Sequence, residues 1–285
     1  MCCIRFSIRG ESLCLPPEAR SVAGAEGIDD GLGKEWGFAF QQGGRYLLKL
    51  ENLGAFVVES GYRQVVGFPD EGVPPSRLQE MFFHRVAPWL LQRQEWDTLH
   101  GSAVLTNGGV LAFSGPQRRG KSTLARAWSE RGGVAYADDA VPFLVRDGAV
   151  LAAQLPQRLK LREPSASRFE PYPVAETAVD GREVVHDLES TLRPLRAVYW
   201  LEAMAGDARN PVSRLQRVPP AEAFPLLLSE VHYFSLRDPD CNRKMVRNYL
   251  TLAQTVPVFR LSFAPDLDLL PAVLDQLAGH QRDLP

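Results

Sequence analysis

The sequence predicts a mixed α/β protein in two parts. A small antiparallel β-rich N-terminal domain covers residues 1–72, and a connecting helix over 73–97 leads to a larger α/β domain over 98–285. Three observations predict this. Apolar and polar residues alternate with period two between glycine turns up to about residue 72. Beyond Leu99, short apolar strands alternate with helical segments. Between them, Asp70-Glu71-Gly72-Val73-Pro74-Pro75 interrupts both kinds of ladder. The 285 residues are enough for a buried core in one large domain or two modest ones. Hydrophobic residues at 45% and charged residues at 23% are ordinary globular usage, which excludes a disordered or fibrous chain.

In the first part, Trp36 to Gln41, Arg45 to Glu51, Ala55 to Glu59 and Gln64 to Phe68 read as strands of an antiparallel meander, with a turn at Gly43-Gly44. Ser76 to Gln94 places Leu78, Met81, Phe82, Val86, Trp89 and Leu90 at spacings of three and four, a helix with a kink or break at Pro88. In the second part, Ala103 to Leu105 and Val110 to Ser114 flank Thr106-Asn107-Gly108-Gly109, a hairpin turn in which Asn and Gly supply positive φ. Lys121 to Arg131 reads as a helix ended by Gly132-Gly133, and Val134 to Ala137 as a short strand. A second hairpin joins Pro142–Val145 to Ala149–Ala153 across Arg146-Asp147-Gly148. There follow a strand at Ala197–Leu201, helices at Ala221–Phe234 and Arg243–Thr255, a strand at Val258–Phe263 and a closing helix at Leu267–Gly279. No internal repeat is visible.

Charge and length exclude several partners. Lys+Arg 32 against Asp+Glu 34 leaves a net charge of −2, without the basic footprint of a nucleic-acid binder. Apolar runs such as Ala223 to Leu228 fall short of the roughly 18 residues of a membrane span. The start MCCIRFSIRGES lacks a continuous signal-peptide core, so a cytoplasmic location is expected. Cys2, Cys3, Cys14 and Cys241 form no CxxC pair, and neither a zinc site nor a disulfide framework is expected.

The chemistry concentrates in one stretch. Gly115-Pro116-Gln117-Arg118-Arg119-Gly120-Lys121-Ser122 satisfies GxxxxGK[ST] between an apolar strand and a helix, the context the motif requires, with Thr123 next in line. Such a loop wraps backbone amides around phosphate oxygens at a helix N-terminus. Its lysine neutralises β/γ charge and its hydroxyl ligates magnesium, roles that fall on Lys121 and Ser122. Arg118 and Arg119 either point to solvent or reach a phosphate. Asp138-Asp139 stands 17 residues beyond Lys121, at the end of the strand after the loop's helix. Strand ends in open α/β sheets converge on a ligand crevice, where one carboxylate can hold a metal and the other accept a hydroxyl proton. The same pair also suits a simple turn. His100 is either a structural histidine or a group tuning a nearby carboxylate. Arg158, Lys160 and Arg162 alternate with leucines, so a strand would put them on one face, suited to an anionic ligand or to solvent. Arg182 and His186 could extend that face.

The order of these motifs resembles the catalytic domain of HPr kinase/phosphorylase and its wider group of HPr-kinase-like serine kinases, some of which serve peptide-modifying clusters such as those for lasso peptides. The likeness is carried by His100-Gly101-Ser102-Ala103-Val104, the hairpin, the P-loop, a helix ending in Arg-Gly-Gly, and Ala137-Asp138-Asp139. It is dense from His100 to about Val145. It implies a P-loop kinase domain of the HPr-kinase type that uses ATP and Mg2+. By it, Gly115 to Ser122 would bind the nucleotide phosphates, His100 would sit beside the acidic pair, and the two aspartates would serve as base and magnesium ligand. Asp138 is the favoured base, leaving Asp139 with Ser122 for the metal. The Gln-Arg-Arg inside the loop departs from the small residues of the HPr enzymes. The expected function is transfer of the ATP γ-phosphoryl group to a hydroxyl, most simply serine, of a peptide, protein or small molecule. A homo-oligomer is compatible with the sequence. The rival class is an ATP-binding or ATP-hydrolysing switch with no phosphoacceptor.

Overall fold

The computed structural model describes residues 3–10, 13, 26–29, 35–155, 161, 163, 165–169, 184–204, 213–231 and 239–284. It is mixed α/β and divides into two compact units. The first comprises Met1–Gln94 with Val174–Ser190, and the second Glu95–Pro173 with Thr191–Pro285.

In the first unit the strands are β1 (Cys3–Ile8), β2 (Glu26–Asp29), β3 (Glu35–Gln42), β4 (Arg45–Leu50), β5 (Gly54–Val58), β6 (Gln64–Pro69) and β12 (Val184–Asp187). Their order across the sheet is β12-β1-β6-β5-β4-β3-β2. From β3 to β6 it is the antiparallel meander the alternation predicts, and β2 adds to it antiparallel along β3. It is not antiparallel throughout, because β1 lies parallel to β6, with Phe6 opposite Val65. Pro75 at the first turn starts helix α1 (Pro75–Met81), and a single wide turn, Phe82–Val86, joins it to α2 (Ala87–Arg93). The distortion precedes Pro88, which has no N–H to give the turn behind it; the amide of Ala87 instead reaches back five residues to the Phe82 carbonyl. This helix belongs to the first unit. Its Phe82 stacks on Phe6 at 3.9 Å between ring centroids, and both are fully buried.

The second unit is built on strands β7 (Asp97–Thr106), β8 (Gly109–Ser114), β9 (Val134–Ala137), β10 (Ala140–Arg146), β11 (Ala149–Ala152), β13 (Arg193–Ala203), β14 (Ser213–Val218) and β15 (Val258–Phe263). Strands β8, β13 and β15 are parallel neighbours, and the rest pair antiparallel. Helices α3 (Lys121–Glu130) and α7 (Leu270–Arg282) cover one face; α5 (Pro220–Ser229) and α6 (Pro239–Thr255) cover the other. A four-residue helix, α4, spans Ser165–Arg168. The alternation of β8 assigns its residues to two cores. Leu111 and Phe113 pack with Leu124, Trp128 and Leu274, while Val110 and Ala112 pack with Leu227, Tyr249 and Leu252. Burial on both faces explains the unbroken apolar run of this strand. Among the described residues, no helix is long and apolar enough to cross a membrane.

Candidate phosphate loop and acidic pair

The glycine loop lies where β8 ends and α3 begins. Gly115 has φ of 121°, and a Cβ on it would come within 2.9 Å of the Leu201 carbonyl on β13, so only glycine lets the loop leave the sheet here. Gly120, also at positive φ, caps the N-terminus of α3, and its carbonyl accepts from the Leu124 amide. Pro116, Gln117, Arg118 and Arg119 are exposed, with Arg118 in the left-handed region at φ of 62°. Lys121 is buried and donates from Nζ to the carbonyls of Gly115 at 2.6 Å and Pro116 at 3.2 Å. Burial holds its ammonium below the ordinary lysine range, and the carboxylates of Glu230, Asp139 and Asp138 pull in the opposite direction. Thr123 exchanges a hydroxyl contact with Ser165 at 3.0 Å.

The acidic pair reaches this loop through strand pairing. Strand β9, whose end carries the pair, lies antiparallel to β7 and is not one of the parallel strands of the sheet. Ala103 faces Ala137 and His100 faces Ala140, so Ser102 falls opposite Asp138 and Gly101 opposite Asp139. Gly101 has no room for a side chain, since a Cβ would meet the Phe113 carbonyl at 2.5 Å. Asp138 is buried, and its Oδ1 accepts from Ser102 Oγ at 2.6 Å and from Ser122 Oγ at 2.8 Å. Asp139 sits at the centre of a γ-turn: the Ala140 amide donates to the Asp138 carbonyl at 2.7 Å, and Asp139 has φ of 60°. The two neighbouring carboxylates are therefore differently held. Asp138 is locked to the P-loop serine, and Asp139 is turned by its backbone.

His100 is anchored twice to Glu230, the residue that ends α5. Its amide donates to the Glu230 carbonyl at 2.7 Å, and its ring Nδ1 lies 2.7 Å from Glu230 Oε2. A carboxylate only accepts, so Nδ1 is the donor in this contact. The Ser114 hydroxyl, at the end of β8, donates to the His100 carbonyl at 3.0 Å and ties the histidine to the root of the loop.

Of the residues singled out in the sequence, Gly115 to Thr123, His100, Asp138 and Asp139 are thus gathered at one end of the second unit's sheet. Arg158, Lys160, Arg162 and Arg182 lie outside the described residues, while His186, grouped with them in the sequence, lies on β12 of the first unit opposite Ile4. Sequence reasoning misses Glu230 and Ser102. A faint signal exists for each. Glu230 puts negative charge at a helix C-terminus, where the dipole disfavours it, and Ser102 is a hydroxyl within an otherwise buried apolar stretch of β7. The donor set suits magnesium: a hydroxyl and a carboxylate side by side are the hard oxygen ligands that this ion combines with phosphate oxygens and water. Among the described residues, no cluster of three or more His, Cys, Asp or Glu forms a metal site without such help.

No protein-family model matches the chain, and no curated protein matches its sequence. Among solved structures, it is similar to the Hpr(Ser) kinase/phosphatase from Coxiella burnetii at 13% identity and a TM-score of 0.32, over 65% of this chain and 97% of that one.

Proposed function

We propose that the second unit binds ATP with Mg2+ and transfers the γ-phosphoryl group to a hydroxyl, most simply a serine, of a peptide, protein or small-molecule acceptor. A precursor peptide of a biosynthetic cluster fits that description. The observation that carries the reading is the bond from Ser122 to Asp138 Oδ1, at 2.8 Å, directly behind Lys121. It joins the last residue of a phosphate-loop sequence to an acid that the sequence places elsewhere on the chain. A glycine turn with an incidental Lys-Ser would have no reason to make it.

In this reading the loop amides and the N-terminus of α3 hold the β- and γ-phosphates. Lys121 exchanges the Gly115 and Pro116 carbonyls for phosphate oxygens, and burial makes its charge act at low dielectric. Magnesium, when bound, neutralises charge on the phosphoryl oxygens. Ser122 and Asp138 are the residues that would hold it, which reverses the division expected from sequence. Asp139 is left to take the proton from the acceptor hydroxyl as that oxygen bonds to the γ-phosphorus and the bond to the ADP oxygen breaks. His100, fixed by Glu230 and Ser114, is a positioning residue beside the pair.

Incubation with ATP, Mg2+ and candidate peptides encoded beside this protein, read by mass spectrometry, should reveal a serine-containing product heavier by one phosphate. ATP binding and ADP release with no phosphorylated product would favour the switch instead. Asp139, a second carboxylate at a site where magnesium binding asks for one, supports the kinase over that rival.

A further inference from the structure

We infer that Ser102 is a positioning residue for the magnesium-side carboxylate: its hydroxyl holds Asp138 in place when Ser122 is engaged by ligand. The inference rests on the function proposed above. Asp138 Oδ1 accepts two hydroxyls, Ser102 at 2.6 Å and Ser122 at 2.8 Å, and the two hydroxyl oxygens are 3.4 Å apart. One belongs to the phosphate loop and changes its surroundings whenever a nucleotide enters. The other belongs to the middle of β7, between Phe113 of β8 and Asp138 itself, on a strand fixed on both sides.

Two physical points argue that the hydroxyl is there for the carboxylate. Ser102 is 1% exposed on a stretch flanked by Gly101, Ala103 and Val104, where an alanine would fill the space without burying a polar group. Its described partners are both site groups, Asp138 and Ser122. With Ser122 drawn to a ligand, Asp138 Oδ1 has one hydroxyl donor fewer, and the Ser102 hydroxyl, held on β7, stays on it through that change. Ser102 thus keeps Asp138 Oδ1 turned toward Ser122.

The test separates magnesium-dependent from magnesium-independent nucleotide binding, by calorimetry with ATP in excess EDTA and again with excess Mg2+. Ser102→Ala should bind ATP in EDTA within about twofold of wild type, while the gain in affinity on adding Mg2+ falls by about tenfold, the scale of one hydrogen bond to a charged group. Ser102→Cys, close in size with a much weaker donor, should fall in the same direction and serves if the alanine variant folds poorly. In an Asp138→Asn background, Ser102→Ala should change the magnesium gain by less than about twofold, because residues acting as one unit are not additive. A wild-type magnesium gain in Ser102→Ala, or an equal loss in the Asp138→Asn background, overturns the role of Ser102 alone. Absence of ATP binding by the wild-type protein overturns the nucleotide reading itself, and this inference with it.

Discussion

At Asp139 the chain adopts φ of 60° inside a γ-turn, a conformation that costs a non-glycine residue on the order of 1 kcal/mol. Glycine would adopt it more easily. Asp139→Gly should therefore leave thermal stability unchanged or raised by up to about 1 kcal/mol, while phosphoryl transfer drops by about 10²–10⁴-fold through loss of the proton acceptor. Asp139→Asn, with the side chain's shape kept, should show the same loss in turnover with ATP affinity intact. Asp138→Asn should behave differently, because it disturbs the partner of Ser122: the magnesium dependence of ATP binding should weaken. Melting curves, calorimetry and phosphotransfer assays on the three variants check this assignment. The opposite pattern in the two asparagine variants returns the roles to those expected from sequence.

Strand β7 and helix α6 meet at a second acid whose behaviour belongs to the elements that bury it. Asp97, at the start of β7, is 3% exposed and accepts from Asn248 Nδ2 of α6 at 2.7 Å; the neighbouring Tyr249 donates to the Thr98 carbonyl at 2.7 Å. Desolvation raises the Asp97 carboxyl from 3.8 to about 6, against the opposing pull of Asn248 and Lys244. Between those values the folded state binds more protons than the unfolded one, so stability falls as pH rises. The penalty is absent below about pH 4 and complete above about pH 6. Its size there is on the order of 3 kcal/mol, the free energy that separates a carboxyl titrating near 6 from one titrating at 3.8. Asp97→Asn, which retains an acceptor for Asn248, should therefore gain on wild type in melting temperature as pH is raised from 4 to 7. Parallel pH profiles for the two proteins would show that Asp97 is not desolvated as described. The basic residues Arg158, Lys160 and Arg162, outside the described residues, invite a test of their own. If they grip an anionic acceptor, alanine at each should raise the acceptor's KM by about tenfold in a salt-sensitive way; solvated charges would change it by little.

Across the whole molecule, legibility follows the range of the interactions. Hairpins at Asn107-Gly108 and Asp147-Gly148, the P-loop and the helix after it are written in contiguous residues, and β8, β9, β15 and α3 appear close to where turn residues and periodicity put them, although in the first hairpin the positive φ falls on Gly109 and not on the expected Asn107. Strands β1, β2, β12 and β14 are not among those read from the sequence, and β12 and β14 show why. Val184–Asp187 is four residues that pair with β1 from far along the chain, and Ser213–Val218 carries three polar residues between its ends, so neither shows a clean period. The helix expected to run through to Phe234 ends at Ser229, because Val231 bridges to Leu99 and the chain between must leave the helical path. The site divides in the same manner. Its loop is readable, whereas Glu230 meets His100 across 130 residues, and the register that sets Ser102 against Asp138 exists only once β9 has folded onto β7. All of the proposed chemistry depends on Gly115 to Ser122 holding the phosphates of ATP, with Lys121 as the charged contact. Calorimetric titration of ATP and Mg2+ into the wild type and Lys121→Ala measures this directly. Binding by the wild type, with a loss of about 1.5–3 kcal/mol in the variant, is the predicted result; equal affinity in the two proteins, or no binding by either, would contradict it.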